Sequence, residues 1–179
     1  MHFPKCNAQL AALAMTMVLA ASLDDAAARE RSRTRSASHV DGARSAVTSA
    51  SGSGARGSFN RNRSVQSDGA GNGSAYRHAS VSGANGGSAS STGSTTASNG
   101  NVVHSGSASS TGPNGGSASS SGGFTKSADG TYSGGRDTTV TGPNGNTAQG
   151  STTYGNGSIS RATTCTNAAG QTVQCNGGG

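Results

Sequence analysis

Apolar residues are concentrated at one end of this chain. Residues 8–23 are mostly apolar, and after Leu23 there is no leucine, methionine or tryptophan. From Arg29 onward the large apolar side chains reduce to eight valines, Ile159, Phe59 and Phe124, with Tyr76, Tyr132 and Tyr154. No hydrophobic stripe marks a helix. What recurs instead is a turn signal. Asn or Asp precedes Gly at Asp68, Asn72, Asn85, Asn99, Asn114, Asp129, Asn144 and Asn156, and from Asn85 the intervals are 14, 15, 15, 15 and 12 residues.

A longer repeat carries two such turns. Ser82-Gly83-Ala84-Asn85-Gly86-Gly87-Ser88-Ala89 returns as Thr111-Gly112-Pro113-Asn114-Gly115-Gly116-Ser117-Ala118, 29 residues on. It returns again 30 residues later as Thr141-Gly142-Pro143-Asn144-Gly145-Asn146-Thr147-Ala148. In Gly112-Pro113-Asn114-Gly115 the proline pre-sets the second position of a type I turn. Asn tolerates the third position, and Gly takes the left-handed conformation that follows. That is the three-residue hairpin loop with a glycine bulge. Between turns lie Ser- and Thr-rich segments such as residues 131–141 and 158–166, and Thr138-Thr139-Val140-Thr141 favours strand. A β-meander puts alternate turns on opposite edges of one sheet. A solenoid stacks each long repeat as one rung. Tight hairpin turns favour the meander.

Composition limits how much of this can pack. Leu, Ile, Val and Phe supply eleven of the 151 residues from Arg29 onward. That is far below the roughly one fifth at which burial repays the entropy of ordering. The expected fold class is therefore a mostly disordered, low-complexity chain. An all-β repeat of short hairpins, as a β-meander or a solenoid-like stack, is expected in its C-terminal half. The best-ordered part should be residues 124–175. Flat segments such as residues 88–94 should pair weakly. Catalytic groups need rotamers locked by packing, so an enzyme is not expected.

The apolar start reads as a cleavable signal peptide over residues 1–28. Lys5 precedes it, and Ala26-Ala27-Ala28 supplies a small-residue cleavage site. The stretch is short for a membrane span, which needs ~20 apolar residues, so no transmembrane segment is expected in the mature chain. The destination is secreted, periplasmic or cell-surface. Cys6 leaves with the signal, and Cys165 and Cys175 remain. In an oxidising compartment these two are expected to form a disulfide. Two thiols without a neighbouring His or carboxylate make a poor metal site.

Residues 29–67 form an arginine-studded arm, expected to be disordered, with a short helix as an option near residues 27–35. It carries Arg29, Arg31, Arg33, Arg35, Arg44, Arg56, Arg61 and Arg63 against Glu30 and Asp41, a surplus of six positive charges. These eight arginines are the candidate polyanion-binding residues. The bland alternative is a solvated tail. Phe59 is the only aromatic residue among them, so stacking on single-stranded nucleic acid is not indicated. Residues 68–179 then form the Gly/Ser/Thr/Asn-rich region with its ~15-residue turn cadence.

No catalytic constellation stands out. His39, His78 and His104 lack metal spacing, serine is too abundant for any Ser/His/Asp grouping to carry weight, and no cofactor motif is present. The Thr-Gly-Pro-Asn-Gly turns at Thr111 and Thr141, with Thr164-Cys165-Thr166 and Gly170-Gln171-Thr172-Val173-Gln174-Cys175, resemble uncharacterised secreted Gly/Ser/Thr-rich repeat proteins of proteobacteria. The resemblance implies export and repetition and assigns no activity. The functional expectation is a secreted, non-enzymatic structural or surface-associated repeat protein contacting a cell envelope or extracellular matrix. The alternative is a polyanion-binding protein acting through the arginine arm on a cell-surface anionic polymer, lipopolysaccharide or nucleic acid. Self-association through strand edges is a third option.

Overall fold

A computed structural model describes residues 30–175, and they form one open antiparallel sheet of eleven strands with no helix among them. The strands are β1 (Glu30–Val40), β2 (Ala43–Gly54), β3 (Gly57–Ser67), β4 (Gly73–Gly83), β5 (Ser88–Ser98), β6 (Asn101–Thr111), β7 (Ser117–Lys126), β8 (Tyr132–Thr141), β9 (Thr147–Gly155), β10 (Ser158–Thr166) and the short β11 (Thr172–Val173). Their order in the sheet is their order in the chain. The fold is a meander.

Two turn chemistries recur in it. At Asp41-Gly42, Asn99-Gly100 and Asn156-Gly157 both residues have positive φ, for example 50° and 78° at Asn99 and Gly100. These are type I′ loops of two residues, whose twist matches that of the flanking strands. At residues 112–116 the Gly115 N–H donates to the Gly112 carbonyl at 3.1 Å, and the Gly112 N–H donates to the Gly116 carbonyl at 2.7 Å. With Gly115 at φ 86° this is the type I turn plus glycine bulge expected from Pro113 and Asn114. Residues 83–87 and 142–146 repeat the pattern at the same end of the sheet. One long repeat is therefore two strands and two turns.

The expectation of a mostly disordered chain is corrected. The arm at residues 30–67 forms β1, β2 and β3, strand replaces the helix option at residues 30–35, and residues 88–94 lie within β5. The sheet achieves this without a core: no hydrophobic side chain among the described residues is buried. Strands β2 to β9 are paired with a neighbour on both sides, β10 is paired along its length with β9 and only at Cys165 and Thr166 with β11, and short turns keep the closure entropy of each hairpin small. The meander needs only neighbouring strands, so each added hairpin stands on the previous one.

Turns at the same end are also tied to each other. Asn72 Oδ1 accepts the Asn99 N–H at 2.9 Å, and Asn101 Oδ1 accepts the Ala128 N–H at 3.1 Å. At the other end Asn146 Oδ1 accepts the Ala168 N–H at 2.9 Å. The final hairpin is closed covalently. Cys165 and Cys175 form the expected disulfide, with Cα atoms 5.3 Å apart. The signal-peptide expectation and Arg29 lie outside the described residues.

Candidate functional site

Side chains alternate between the two faces of a strand, so an unbroken register assigns every strand residue to a face. In β1 the odd positions Arg31, Arg33 and Arg35 share a face, opposite Gly52, Ala50 and Thr48 of β2. Carried through the register, the same face holds Arg44 of β2, Arg61 and Arg63 of β3, and Arg77 of β4. It continues to Lys126 of β7, Arg136 of β8 and Arg161 of β10. All ten strand cations of the described residues stand on this face. The two strand carboxylates, Glu30 and Asp137, stand on the other.

One row crosses the middle of the cationic face. Arg35, Thr48, Arg63 and Arg77 lead to Gly93, Gly106 and Gly122, then to Arg136, Thr152 and Arg161. Gly93 lets Arg77 lie down over β5: a Cβ at Gly93 would stand 2.8 Å from Arg77 Nε. Arg136 is held from the far side, its Nη1 donating to Ser120 Oγ at 2.9 Å. Direct opposition of Arg63 and Arg77 costs electrostatic energy in the isolated sheet.

Beside this row runs an aromatic ladder. Ring centroids lie 5.2 Å apart for His104 and Phe124, 5.3 Å for Phe124 and Tyr132, and 5.3 Å for Tyr132 and Tyr154. The spacing is close to that between strands, so the rings stand side by side across β6 to β9. His104 is anchored by a 2.7 Å bond between its Nδ1 and Thr95 Oγ1. The neighbouring Tyr154 hydroxyl holds the Tyr132 phenol above its ordinary value. Ile159 faces Tyr154 from β10 and is 66% exposed.

The opposite face is mainly hydroxyl. Ser90–Ser109, Thr92–Ser107 and Ser94–Ser105 bond across β5 and β6 at 3.0, 2.8 and 2.8 Å. Thr147 and Thr166 pair likewise across β9 and β10. A shallow basin of about 260 Å³ opens among these groups, its lining including Thr92, Ser107, Ser121 and Asp137. It offers hydroxyls and one carboxylate.

Of the eight arginines anticipated from the sequence, Arg31, Arg33, Arg35, Arg44, Arg61 and Arg63 come together on the cationic face. Arg56 sits in the two-residue connection between β2 and β3, at the end of the sheet. Arg77, Lys126, Arg136 and Arg161 belong to the face and were missed. Strand parity, counted outward from the alternating arginines of residues 29–35, is the signal that finds them. No family model, curated protein or solved structure matches the chain.

Proposed function

We propose that this chain is a non-enzymatic, surface-associated protein that binds an anionic polymer across the cationic face of its sheet. The observation that carries the reading is the segregation of charge: ten strand cations on one face, both strand carboxylates on the other. Such a face sums its charges into one positive field, and each contact with a polyanion releases counterions. The Arg63–Arg77 opposition supports the same reading, since an anion between them turns a repulsion into an attraction. The binding is multivalent, built from many weak contacts rather than one pocket. The disulfide fits an exported protein acting in an oxidising compartment.

Titration of the full chain with dextran sulfate over a range of salt concentrations tests the reading. The affinity should fall linearly with salt on logarithmic axes, and replacing Arg61, Arg63 and Arg77 by serine should flatten that slope by about three. An affinity indifferent to salt, or unchanged in the triple variant, would sink the proposal.

A further inference from the structure

The cationic face carries more than charge. Phe59 and Val81, opposite each other on β3 and β4, are 40% and 38% exposed on it, and Tyr132 and Ile159 are 39% and 66% exposed on it. A soluble polyanion requires the cations and has no use for these side chains. A second copy cannot cover them with its own cationic face, because that would set ten cations against ten, and its opposite face offers only Glu30 and Asp137 as strand carboxylates against those ten. The complementary partner offers negative charge and apolar matter in a single surface.

We infer that the cationic face docks on an anionic lipid bilayer, with its arginines at the headgroups and Phe59, Val81 and the Tyr132–Ile159 region at the acyl boundary. This rests on the reading above only in that the cationic face takes an anionic partner, and it puts the acidic headgroups of a lipid surface in the place of a free polymer. Aromatic side chains favour the membrane–water interface, and basic residues are drawn to an acidic leaflet. Backbone donors and acceptors of β2 to β9 are already paired within the sheet, so lying on the interface exposes few of them to the lipid. With ten strands about 4.8 Å apart and roughly 35 Å long, the face offers on the order of 1,500 Å². The opposite face also exposes Val40, Val47, Tyr76 and Val103, but it has no strand cation and keeps its hydroxyls, Glu30 and Asp137 in water.

The chain has no tryptophan, so one introduced indole reports its own surroundings. The full chain carrying Phe59→Trp, and separately Tyr76→Trp, is mixed with phosphatidylglycerol/phosphatidylcholine vesicles, with pure phosphatidylcholine vesicles, and with dextran sulfate. Bilayer docking predicts a blue shift, and quenching by brominated acyl chains, for Phe59→Trp on anionic vesicles only. Tyr76→Trp should show neither. Partitioning should fall with salt and drop roughly fivefold for each arginine of the face replaced by serine. Binding to dextran sulfate without vesicle partitioning would overturn the bilayer inference and leave the anionic-polymer reading standing. Failure to bind either ligand would overturn both. Quenching of Tyr76→Trp equal to that of Phe59→Trp would overturn the assigned orientation. If Phe59→Trp loses its β-type circular dichroism spectrum, Val81→Trp reads the same face.

Discussion

Arg63 and Arg77 occupy directly opposed positions across β3 and β4, on a face that carries no strand carboxylate among the described residues, and Arg77 reaches away from Arg63 over Gly93 of β5. Like charges at opposed positions destabilise a strand pair. Arg77→Thr should therefore raise the stability of the unliganded protein by a few tenths of a kcal/mol, a value kept small by solvent exposure. The same change should weaken binding to an acidic polymer. Urea titrations read the first effect, and a loss of stability on substitution would contradict it. Added salt should shrink the difference, since it screens the repulsion.

Gly134 is the space occupied by Tyr154. A Cβ at Gly134 would stand 2.7 Å from both Cε2 and the hydroxyl oxygen of that ring, and against the Gly123 carbonyl. Gly134→Ala should displace Tyr154 from its stack on Tyr132 and from its 3.4 Å bond to Gly123 O. The expected cost is about 1–3 kcal/mol. Near-ultraviolet circular dichroism, which senses ordered tyrosine rings, should lose signal in the variant. An unchanged spectrum would show that the ladder tolerates the methyl.

The two turn types predict different responses to alanine. Asn99 holds φ at 50°, a conformation that costs an ordinary L-residue about 1–2 kcal/mol. Asn114, at the third position of a type I turn, needs no positive φ. Asn99→Ala should be clearly destabilising and Asn114→Ala close to neutral, as read from denaturant midpoints. Equal effects would mean that side-chain bonding rather than backbone conformation governs these loops.

Acid should open particular turns. The Thr131 N–H, then the Thr131 hydroxyl, hold the Asp129 carboxyl below the ordinary carboxylate range. For Asp68 the largest cause is the Asn72 side chain, followed by the Ala70 and Asn72 N–H groups. A folded value below the unfolded one gives stability that is complete above the unfolded value and lost as pH falls through the folded one. Protection of the Thr131 and Asn72 amides from exchange should therefore persist through the ordinary carboxylate range and fail only below it. Loss of protection at or above that range would contradict the assignment.

The turns, the disulfide and the two-strand repeat were legible because their chemistry is local. Pro113, Asn114 and Gly115 specify a backbone shape wherever they occur. The order of residues 30–67 was not legible from a count of apolar residues, because a single-layer meander rests on backbone pairing, which composition does not record. Two signals in that segment were readable. Asp41-Gly42 is the same hairpin signal as Asn99-Gly100 and belongs to the cadence. The arginines at 31, 33 and 35 recur with the period of a strand and mark one side of it. The asparagine ties between turns depend on which loops share an end of the sheet, a long-range fact absent from any local window.

The repeat also decides how this molecule can change in length. Ala89, Ala118 and Ala148 occupy equivalent places in successive repeats and stand on the same face. Excising residues 86–114 would join one loop to its own counterpart and bring β4 beside β7 with no side chain inverted. Arg77 would then approach Gly122, and the middle row of cations would close ranks. Loss or gain of a whole repeat would shorten or extend the cationic face by two strands at a time and leave its sidedness intact.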